Sequence, residues 1–414
     1  MRPCRLALPL LALACMGPAA EPTAPDPAGS AGPGGGPAAA RPAGDASLEI
    51  ERLDLDPGCD GLVPAAAPEP VHVRLEVGDG EACVGGVSDG TGAVALGVRD
   101  VAGAVTWRVH GRDGAPAGAF AAEWPLLSQP SGWHALEVSR PPFGADPTVH
   151  LVAVAPAGDV VRRERVTPDP AVAVGPRWSL ASDPAGGSAV AVRATYVGGN
   201  HWSEVRVHRF DAAGAPRWPG GARALTVGSA REPAYLGAGL PTGGDLLLLS
   251  QRSAFVDVTW LEPDASAAGG SVMQEPAAAV VGDGPSHAIE LAPLLDGSVA
   301  LRADGTWRRT YAPRAAASDA LPAWLAGRAD RALRLAPGGA GYVLLPPPGR
   351  AAPDCATHVE LVSRAGRTCA RITIREAGAT CTIRDVDQGR DGTLVAQSAA
   401  DACTIRWWPG LLAP

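Results

Sequence analysis

From residue 47 to Pro414, short stretches of alternating apolar and polar residues are separated by turns rich in Gly and Asp. Such alternation predicts β-strands, because successive side chains of a strand point to opposite faces of a sheet. Helical periodicity is nearly absent here, and the 52 Gly and 41 Pro argue against long helices. The pattern therefore predicts an all-β body.

One sub-pattern recurs about every 50 residues: an apolar strand, a Gly- or Asp-rich turn and a second strand rich in Val, Leu and Ala. The second strands are predicted to begin near residues 81, 132, 186, 243, 296, 338 and 391. The inner strands before them are predicted at 71–79, 121–128, 177–182, 234–241, 287–295, 331–337 and 380–387. Seven units of four strands resemble a seven-bladed β-propeller, and tandem β-sandwiches are the alternative.

The two ends of this body predict how the ring closes. The last unit has room for only three strands before Pro414, whereas SLEIERLDLD (47–56) alternates strongly but has no partner in its own unit. Propellers close when one terminus completes the last blade. We therefore expect residues 47–56 to form the outer strand of blade seven.

The N-terminus has the order of a secretory signal: two arginines, an apolar run from Leu6 to Ala14, and then Cys15. The stretch ALAC (12–15) resembles the lipobox of bacterial lipoproteins, although Ala12 stands where that family usually has Leu. The resemblance implies that Cys15 is lipidated and becomes the first residue of the mature protein. An ordinary signal peptide cut near Ala20 is the alternative.

Residues 16–46 are almost wholly Ala, Pro and Gly and contain no aromatic residue. Such a segment buries too little apolar surface to offset its ordering entropy, so it is predicted to be a disordered tether. The expected organisation is a signal peptide (1–15), a tether (16–46) and a propeller (47–414). The protein would sit in the cell envelope or on the surface, held only by its lipid; a soluble secreted or periplasmic protein is the alternative.

Charge and composition exclude several function classes. The formal net charge of -8 disfavours nucleic acid as a partner, because its phosphates carry the same sign of charge. All 35 basic residues are Arg, and without Lys the chain can form no lysine Schiff base.

Beyond Cys4 and Cys15 the sequence has six cysteines, an even number that suits disulfides in an exported protein. Six cysteines allow 15 pairings, and proximity in sequence favours Cys59–Cys83, Cys355–Cys369 and Cys381–Cys403. A zinc site is disfavoured, since there is no C-x-x-C motif.

Two turns share the spacing D-x-D-x-x-x-D-G. They contain Asp54, Asp56 and Asp60 in one case and Asp385, Asp387 and Asp391 in the other. Three carboxylates so spaced could bind Ca²⁺, but Asp and Gly are also the usual residues of plain turns. GVSDG (86–90) fits the G-x-S-x-G pattern of a nucleophile elbow, yet a strand follows it where that motif needs a helix, so a β-turn is predicted.

The candidate binding surface is a rim of loops joining second to third strands. GGNHWSE (198–204), RPPFGADP (140–147) and PPPGRAAPDC (346–355) belong to this class, and the candidate contact residues are Arg140, Phe143, Asn200, His201 and Trp202. Exposed Trp and Arg are favoured at binding hot spots. Most of the 11 Trp, including Trp107, Trp178, Trp218 and Trp260, are instead expected to pack between blades.

These observations favour a non-enzymatic binding or scaffold protein, expected to be a monomer, that offers its rim to a protein or a glycan. The alternative is a hydrolase or lyase with a site in the central channel, which fold resemblance alone supports only weakly. The side chains at the channel mouth discriminate the two: converging carboxylates, His and Arg favour the enzyme, and apolar or small residues favour the binder.

Overall fold

The structure is a computed structural model that describes residues 47–139, 148–167, 177–196, 202–227, 236–241, 244–252, 254–264, 273–281, 289–315, 317–347, 356–375, 383–398 and 403–413. Helices are few and short in these stretches: α1 (Ala277–Val281), α2 (Ala323–Ala326) and the 3-10 turns Pro57–Cys59 and Pro337–Gly339.

All remaining elements are strands. Two precede the first blade, β1 (Ser47–Arg52) and β2 (Val71–Arg74). Blade one contains β3 (Ala82–Ser88), β4 (Val94–Arg99), β5 (Val105–His110) and β6 (Pro116–Ala121), and blade two contains β7 (Glu123–Gln129), β8 (Gly132–Ser139), β9 (Thr148–Val154) and β10 (Val160–Arg165). Blade three contains β11 (Arg177–Ser182), β12 (Ser188–Tyr196), β13 (Trp202–Phe210) and β14 (Ala222–Val227), and blade four contains β15 (Leu236–Gly239), β16 (Leu246–Arg252), β17 (Phe255–Leu261) and β18 (Met273–Pro276).

Three further blades complete the chain. Blade five contains β19 (Ile289–Pro293), β20 (Val299–Ala303) and β21 (Thr306–Tyr311). Blade six contains β22 (Ala332–Leu335), β23 (Gly341–Leu345), β24 (Ala356–Ser363) and β25 (Thr368–Arg375). Blade seven contains β26 (Ile383–Gln388), β27 (Leu394–Ser398) and β28 (Thr404–Trp408).

The predicted seven-bladed β-propeller is confirmed. The described strands form seven sheets, and within each blade consecutive strands pair antiparallel. The first strands of neighbouring blades lie against one another, for example β11 against β15 and β26 against β3, so they surround the central channel. Six of the seven inner strands occur where the repeat predicts them.

The core lies between the blades. The described part of the chain has seven clusters of buried apolar side chains, and each joins two neighbouring blades. One of them joins blade seven to blade one, where Val395 and Ile405 pack with Val94 and Leu96. This unbroken circle of interfaces excludes tandem sandwiches, in which sheets would pack in separate pairs.

Ring closure by an N-terminal strand is confirmed, but the strand differs from the prediction. β2 completes blade seven by pairing with β28, and β1 pairs with β25 as a fifth strand of blade six. β1 fits there because Leu48 and Ile50 pack against the core between blades six and seven. Residues 71–79 are therefore not the inner strand of blade one, which is β3 instead.

The cause of this error lies in two similar turns. The Gly- and Asp-rich stretches at 78–81 and 89–92 both resemble a turn between first and second strands. Only the second has that role, between β3 and β4, where the N–H of Asp89 donates to the carbonyl of Ala93. The sequence prediction assigned this role to the turn at 78–81, so its inner strand of blade one is one strand too early.

Among the described residues, blade five has three strands where the repeat predicts four. The outer edge of β21 is covered by the following segment, in which Thr310 and Asp319 exchange two backbone hydrogen bonds. The backbone N–H of Trp307 donates to the carbonyl of Ala329. These bonds satisfy part of an edge that would otherwise be open to pairing with another chain.

The predicted local disulfides are wrong for the cysteines that the structure describes. Cys59 is bonded to Cys369, with Cα atoms 5.3 Å apart, and Cys83 to Cys403, with Cα atoms 5.2 Å apart. The partners are 310 and 320 residues apart in sequence because the two chain ends meet in blades six, seven and one. The other two cysteines of the propeller, Cys355 and Cys381, lie outside the described residues.

Candidate functional site

The propeller has two faces with different connections. We call the face with the turns between first and second strands the turn face, and the opposite face the loop face. The strands that flank the predicted rim connections 140–147, 197–201 and 346–355 are the second and third strands of their blades, so these connections belong to the loop face; residues 140–147, 197–201 and 348–355 themselves lie outside the described residues. Of the candidate contact residues, Trp202 begins β13, and four lie outside the described residues: Arg140, Phe143, Asn200 and His201.

On the turn face, Arg390 crosses from blade seven to blades two and three. Its Nε donates to the carbonyl of Ser128 at 2.9 Å and its Nη1 to that of Pro184 at 3.0 Å. Nη2 donates to Oγ of Ser182 and to the carbonyl of Asp183, and the backbone N–H donates to Oγ of Ser128. Because blade one lies between blades seven and two, this side chain spans part of the channel mouth and restricts that end.

The Asp89 turn on the same face joins blade one to blade two. The carboxylate of Asp89 accepts hydrogen bonds from Thr91 and Ala93 in its own turn and from the N–H of Gly132 in blade two. Burial raises the pKa of Asp89, and these bonds oppose the rise. GVSDG is not a β-turn as a whole: Gly86 to Ser88 are the end of β3 and the turn begins at Asp89, and because Ser88 is buried no exposed nucleophile stands there.

Charged side chains of the inner strands of blades five, six and seven meet, together with Arg302 on the second strand of blade five. Arg334 on β22 donates from Nη1 to Glu290 on β19 at 2.9 Å and from Nε to Asp387 on β26 at 3.4 Å. Arg302 on β20 donates to the second oxygen of Glu290 at 3.1 Å. We call Glu290, Arg302, Arg334 and Asp387 the channel cluster.

Electrostatics keep Glu290 and Arg334 of the channel cluster ionised. Burial would raise the pKa of Glu290, but Arg334 and Arg302 more than offset it, so this pKa lies below its ordinary value. Burial likewise disfavours charged Arg334, yet the carboxylates of Asp387 and Glu290 raise the pKa of its guanidinium above the ordinary value.

The sequence prediction missed most of this cluster. Arg334 and Glu290 lie within inner strands that the repeat places correctly, and Asp387 was proposed only as a calcium ligand. A charged residue in an otherwise apolar inner strand, as in RALRLAP (331–337) and HAIELAPLL (287–295), is the signal that could have found it. Arg390 had no such signal, since an Arg in a turn is ordinary.

The acidic turns give no support to the calcium hypothesis. Asp54 accepts from the N–H of Asp56, Asp56 pairs with Arg367 at 2.6 Å, and Asp60 pairs with Arg52 at 2.8 Å. In the second turn, both carboxylate oxygens of Asp391 accept from Thr393, Asp387 pairs with Arg334, and Asp385 has a partner of its own. Within the described stretches, no group of three or more His, Cys, Asp or Glu is placed to hold a metal ion.

His134 contacts the hydroxyl of Ser188, an arrangement similar to that of a general base and a serine nucleophile in a hydrolase. Nδ1 of His134 on β8 lies 2.9 Å from Oγ of Ser188 on β12, but both residues are fully buried between blades two and three. Burial lowers the pKa of His134 to about 4, so its ring is neutral at pH 7. Because no substrate can reach it, this pair is structural.

The four tryptophans named above pack between blades, as predicted. The indole N–H of Trp107 donates to the carbonyl of Ala122, that of Trp218 to Pro263 and that of Trp260 to Ala315. In each case the acceptor belongs to the next blade or to the segment that leads into it. Trp178 packs against the core between blades two and three.

Comparison with known proteins yields similarity of fold alone. No family model matches the chain, and no curated protein matches it. Among solved structures, prolyl oligopeptidase B from Galerina marginata is 10% identical, with a TM-score of 0.40 over 77% of this chain and 47% of the other. A puromycin hydrolase is 17% identical, with a TM-score of 0.35 over 86% and 57%.

A quinonprotein alcohol dehydrogenase-like protein from Bacteroides thetaiotaomicron is 12% identical, with a TM-score of 0.34 over 73% of this chain and 69% of the other. The present chain spans about half the length of the oligopeptidase. Identities and TM-scores this low carry no argument about activity, so function has to be argued from the residues themselves.

Proposed function

We propose that the protein is an exported, lipid-anchored binding or scaffold protein whose loop face binds a protein or a glycan. The observation that carries this proposal is topological. Three connections, in blades two, three and six, join a second strand to a third strand and so belong to one face, and loops held by a rigid scaffold are the usual place for binding residues. The described turns of the opposite face are short and use their polar groups to join blades.

The export half of the proposal rests on the N-terminus and on the disulfides. The bonds Cys59–Cys369 and Cys83–Cys403 indicate an oxidising, exported environment. No helix in the described ranges is long and apolar enough to cross a membrane. Lipidation of Cys15 would supply the attachment that the sequence implies.

The hydrolase or lyase alternative needs a nucleophile or a base that a substrate can reach. Among the described groups near the channel, the hydroxyls of Ser128 and Ser182 accept hydrogen bonds from Arg390, and the guanidinium of Arg334 is paired with Glu290 and Asp387. The contact between His134 and Ser188 is buried. These contacts favour binding over catalysis.

Capture from intact cell envelopes, with the captured partner identified, tests the proposal. A variant carrying Phe143→Ala, His201→Ala and Trp202→Ala alters the loop face, and Asp159→Ala in an exposed turn of the turn face is the control. We expect the control to retain the partner and the loop-face variant to recover roughly tenfold less, as for the loss of hot-spot side chains. Equal recovery by both variants would contradict the proposal.

A further inference from the structure

The interface between blades two and three contains two buried histidines. His134 on β8 of blade two has its Nδ1 2.9 Å from Oγ of Ser188 on β12 of blade three. His208 on β13 of blade three faces blade two, because Val205 and Val207 of the same strand pack against blade four and the side chains of a strand alternate. Both histidines are buried. Each ring is thus part of the packing between the same two blades.

The surroundings of His134 favour the neutral ring. Burial is the largest effect and lowers the pKa of His134 to about 4. The charged groups near the ring have opposite effects on this pKa, since Asp211 raises it and Arg390 lowers it. The side chain that contacts the ring is the hydroxyl of Ser188, not a carboxylate. An imidazolium formed here would therefore lose its hydration without gaining an ion pair.

The surroundings of His208 have the same effect. Its ring stacks beside that of Phe210, with centroids 6.4 Å apart, and lies so close to Gly221 that a Cβ atom there would be 2.7 Å from Cε1. Burial lowers the pKa of His208 to about 4, and Arg206 lowers it further. Glu204, on the same side of β13, pairs with Arg206. A proton on His208 would thus add a positive charge beside an existing one.

The opposite side of the ring is closed by covalent bonds. Cys83–Cys403 joins blade one to blade seven, and Cys59–Cys369 joins the segment after β1 to blade six. The sequence has no cysteine from residue 84 to residue 354, so no disulfide joins blades two and three. Separation of these two blades would therefore leave the disulfide-bonded blades together.

We propose that acid opens the interface between blades two and three: protonation of His134 and His208 separates these blades locally, while the disulfide-bonded side of the ring stays closed. A charge buried without a partner is costly, and separation of the blades admits the water that hydrates it. Because both rings lie in one interface, a single opening hydrates both.

The opened interface would expose Leu151, Val190 and Phe210, which pack together between the closed blades. The propeller would thus respond to the acidity of its compartment. This property does not depend on the ligand proposed for the loop face.

Hydrogen–deuterium exchange of the mature full-length protein, measured by mass spectrometry at pH 7 and pH 5 and corrected for the intrinsic exchange rates, tests the proposal. Peptides from β8, β9, β12 and β13 report on the interface, and peptides from β4, β27 and β28 report on the disulfide-bonded side. The variants are His134→Gln and His208→Gln. His110→Gln is the matched control, because His110 is also buried but its Nδ1 lies 3.0 Å from the carbonyl of Gly114 in its own blade.

A histidine with a pKa of about 4 in the closed interface and of 6.5 in the open one should raise the opening equilibrium about 20-fold between pH 7 and pH 5. We expect the parent to show this effect for both histidines in the interface peptides. Each histidine variant should lose one factor of about 20, and His110→Gln should behave like the parent. Return to pH 7 should restore protection.

Three results would overturn the proposal. The first is unchanged protection of the interface peptides at pH 5. The second is an equal acid-induced increase in the peptides of the disulfide-bonded side, which would indicate global unfolding. The third is an acid response that neither His134→Gln nor His208→Gln reduces. Since each histidine has its own variant, a variant that fails to fold leaves the other as the test.

Discussion

Cys83 on the innermost strand of blade one is bonded to Cys403 directly before the third strand of blade seven. This covalent bond crosses the seam of the ring, at the interface where Val94 and Leu96 pack with Ile405. Noncovalent closure by β2 and covalent closure by this disulfide therefore act at the same place.

The disulfide pairing can be determined by peptide mapping without reductant. Digestion without reductant should join peptides bearing Cys59 to Cys369 and Cys83 to Cys403, and mass spectrometry identifies them. In an oxidising compartment the two cysteines left over, Cys355 and Cys381, are expected to pair with each other. Finding Cys59 joined to Cys83 would contradict the structure.

Loss of the seam disulfide should cost considerable stability. Because Cys59–Cys369 remains, the loop that this bond closes is about 60 residues, and the chain-entropy model gives it about 4 kcal/mol. The double variant Cys83→Ser/Cys403→Ser should therefore melt at a clearly lower temperature and be cleaved first near blades seven and one. Calorimetry and limited proteolysis measure this, and a melting temperature equal to that of the parent would refute it.

Stepwise truncation separates the roles of the first two strands. Removing residues 16–46 should leave the melting temperature unchanged. Removing residues up to Arg52 exposes the edge of β25 and should destabilise blade six, while the ring stays closed by β2. Removing residues up to Arg74 also opens blade seven and should prevent folding; equal effects of the two longer truncations would contradict these assignments.

Arg390 should contribute more to stability than an ordinary surface arginine. Arg390→Ala removes four side-chain hydrogen bonds to blades two and three and should lower the free energy of unfolding by about 3 kcal/mol. Arg364→Ala is the control, since Arg364 makes one bond from the same face, to the carbonyl of Gly339. Urea unfolding measures both, and equal losses would show that the contacts across the channel are unimportant.

Stability should fall between neutral and mildly acidic pH. Burial lowers the pKa of His134 and of His208 to about 4, below their ordinary value of 6.5, so the unfolded chain binds more protons in this window. The stability they contribute is complete above pH 6.5 and is lost as the pH falls towards 4, by up to about 3 kcal/mol for each histidine. His134→Gln should reduce the difference between the free energies of unfolding measured in urea at pH 7 and at pH 4.5. His72→Gln, at an exposed site on β2, should leave that difference as it is in the parent.

Membrane attachment depends on one residue in our proposal. Replacement of Cys15 by Ala should move the protein from the membrane fraction to the soluble fraction, as seen by fractionation and immunoblotting. The parent should carry a lipid mass on its first residue. A Cys15→Ala protein that stays with the membrane would remove the lipid anchor from the proposal.

The sequence by itself determined the all-β class, the number of blades and most inner strands. Strand alternation and Gly or Asp turns are local signals, and positions such as Gly297 and Gly392, with φ of 87° and 78°, need glycine whatever lies elsewhere in the chain. The same repeat also predicted that the rim connections join second strands to third strands. The packing of the named tryptophans between blades could be predicted too, because large apolar residues within strands are buried between sheets.

Tertiary structure alone decided how the ring closes, how the cysteines pair and which charged groups meet. β1 and β2 are equally plausible partners for the last blades, and only the fit of Leu48 and Ile50 beside blade six selects between them. Arg334 meets Glu290 and Asp387, 44 and 53 residues away, because a ring brings successive inner strands to a common axis. Contacts across a closed ring join residues whose separation in sequence is set by the blades between them, so no local pattern contains them.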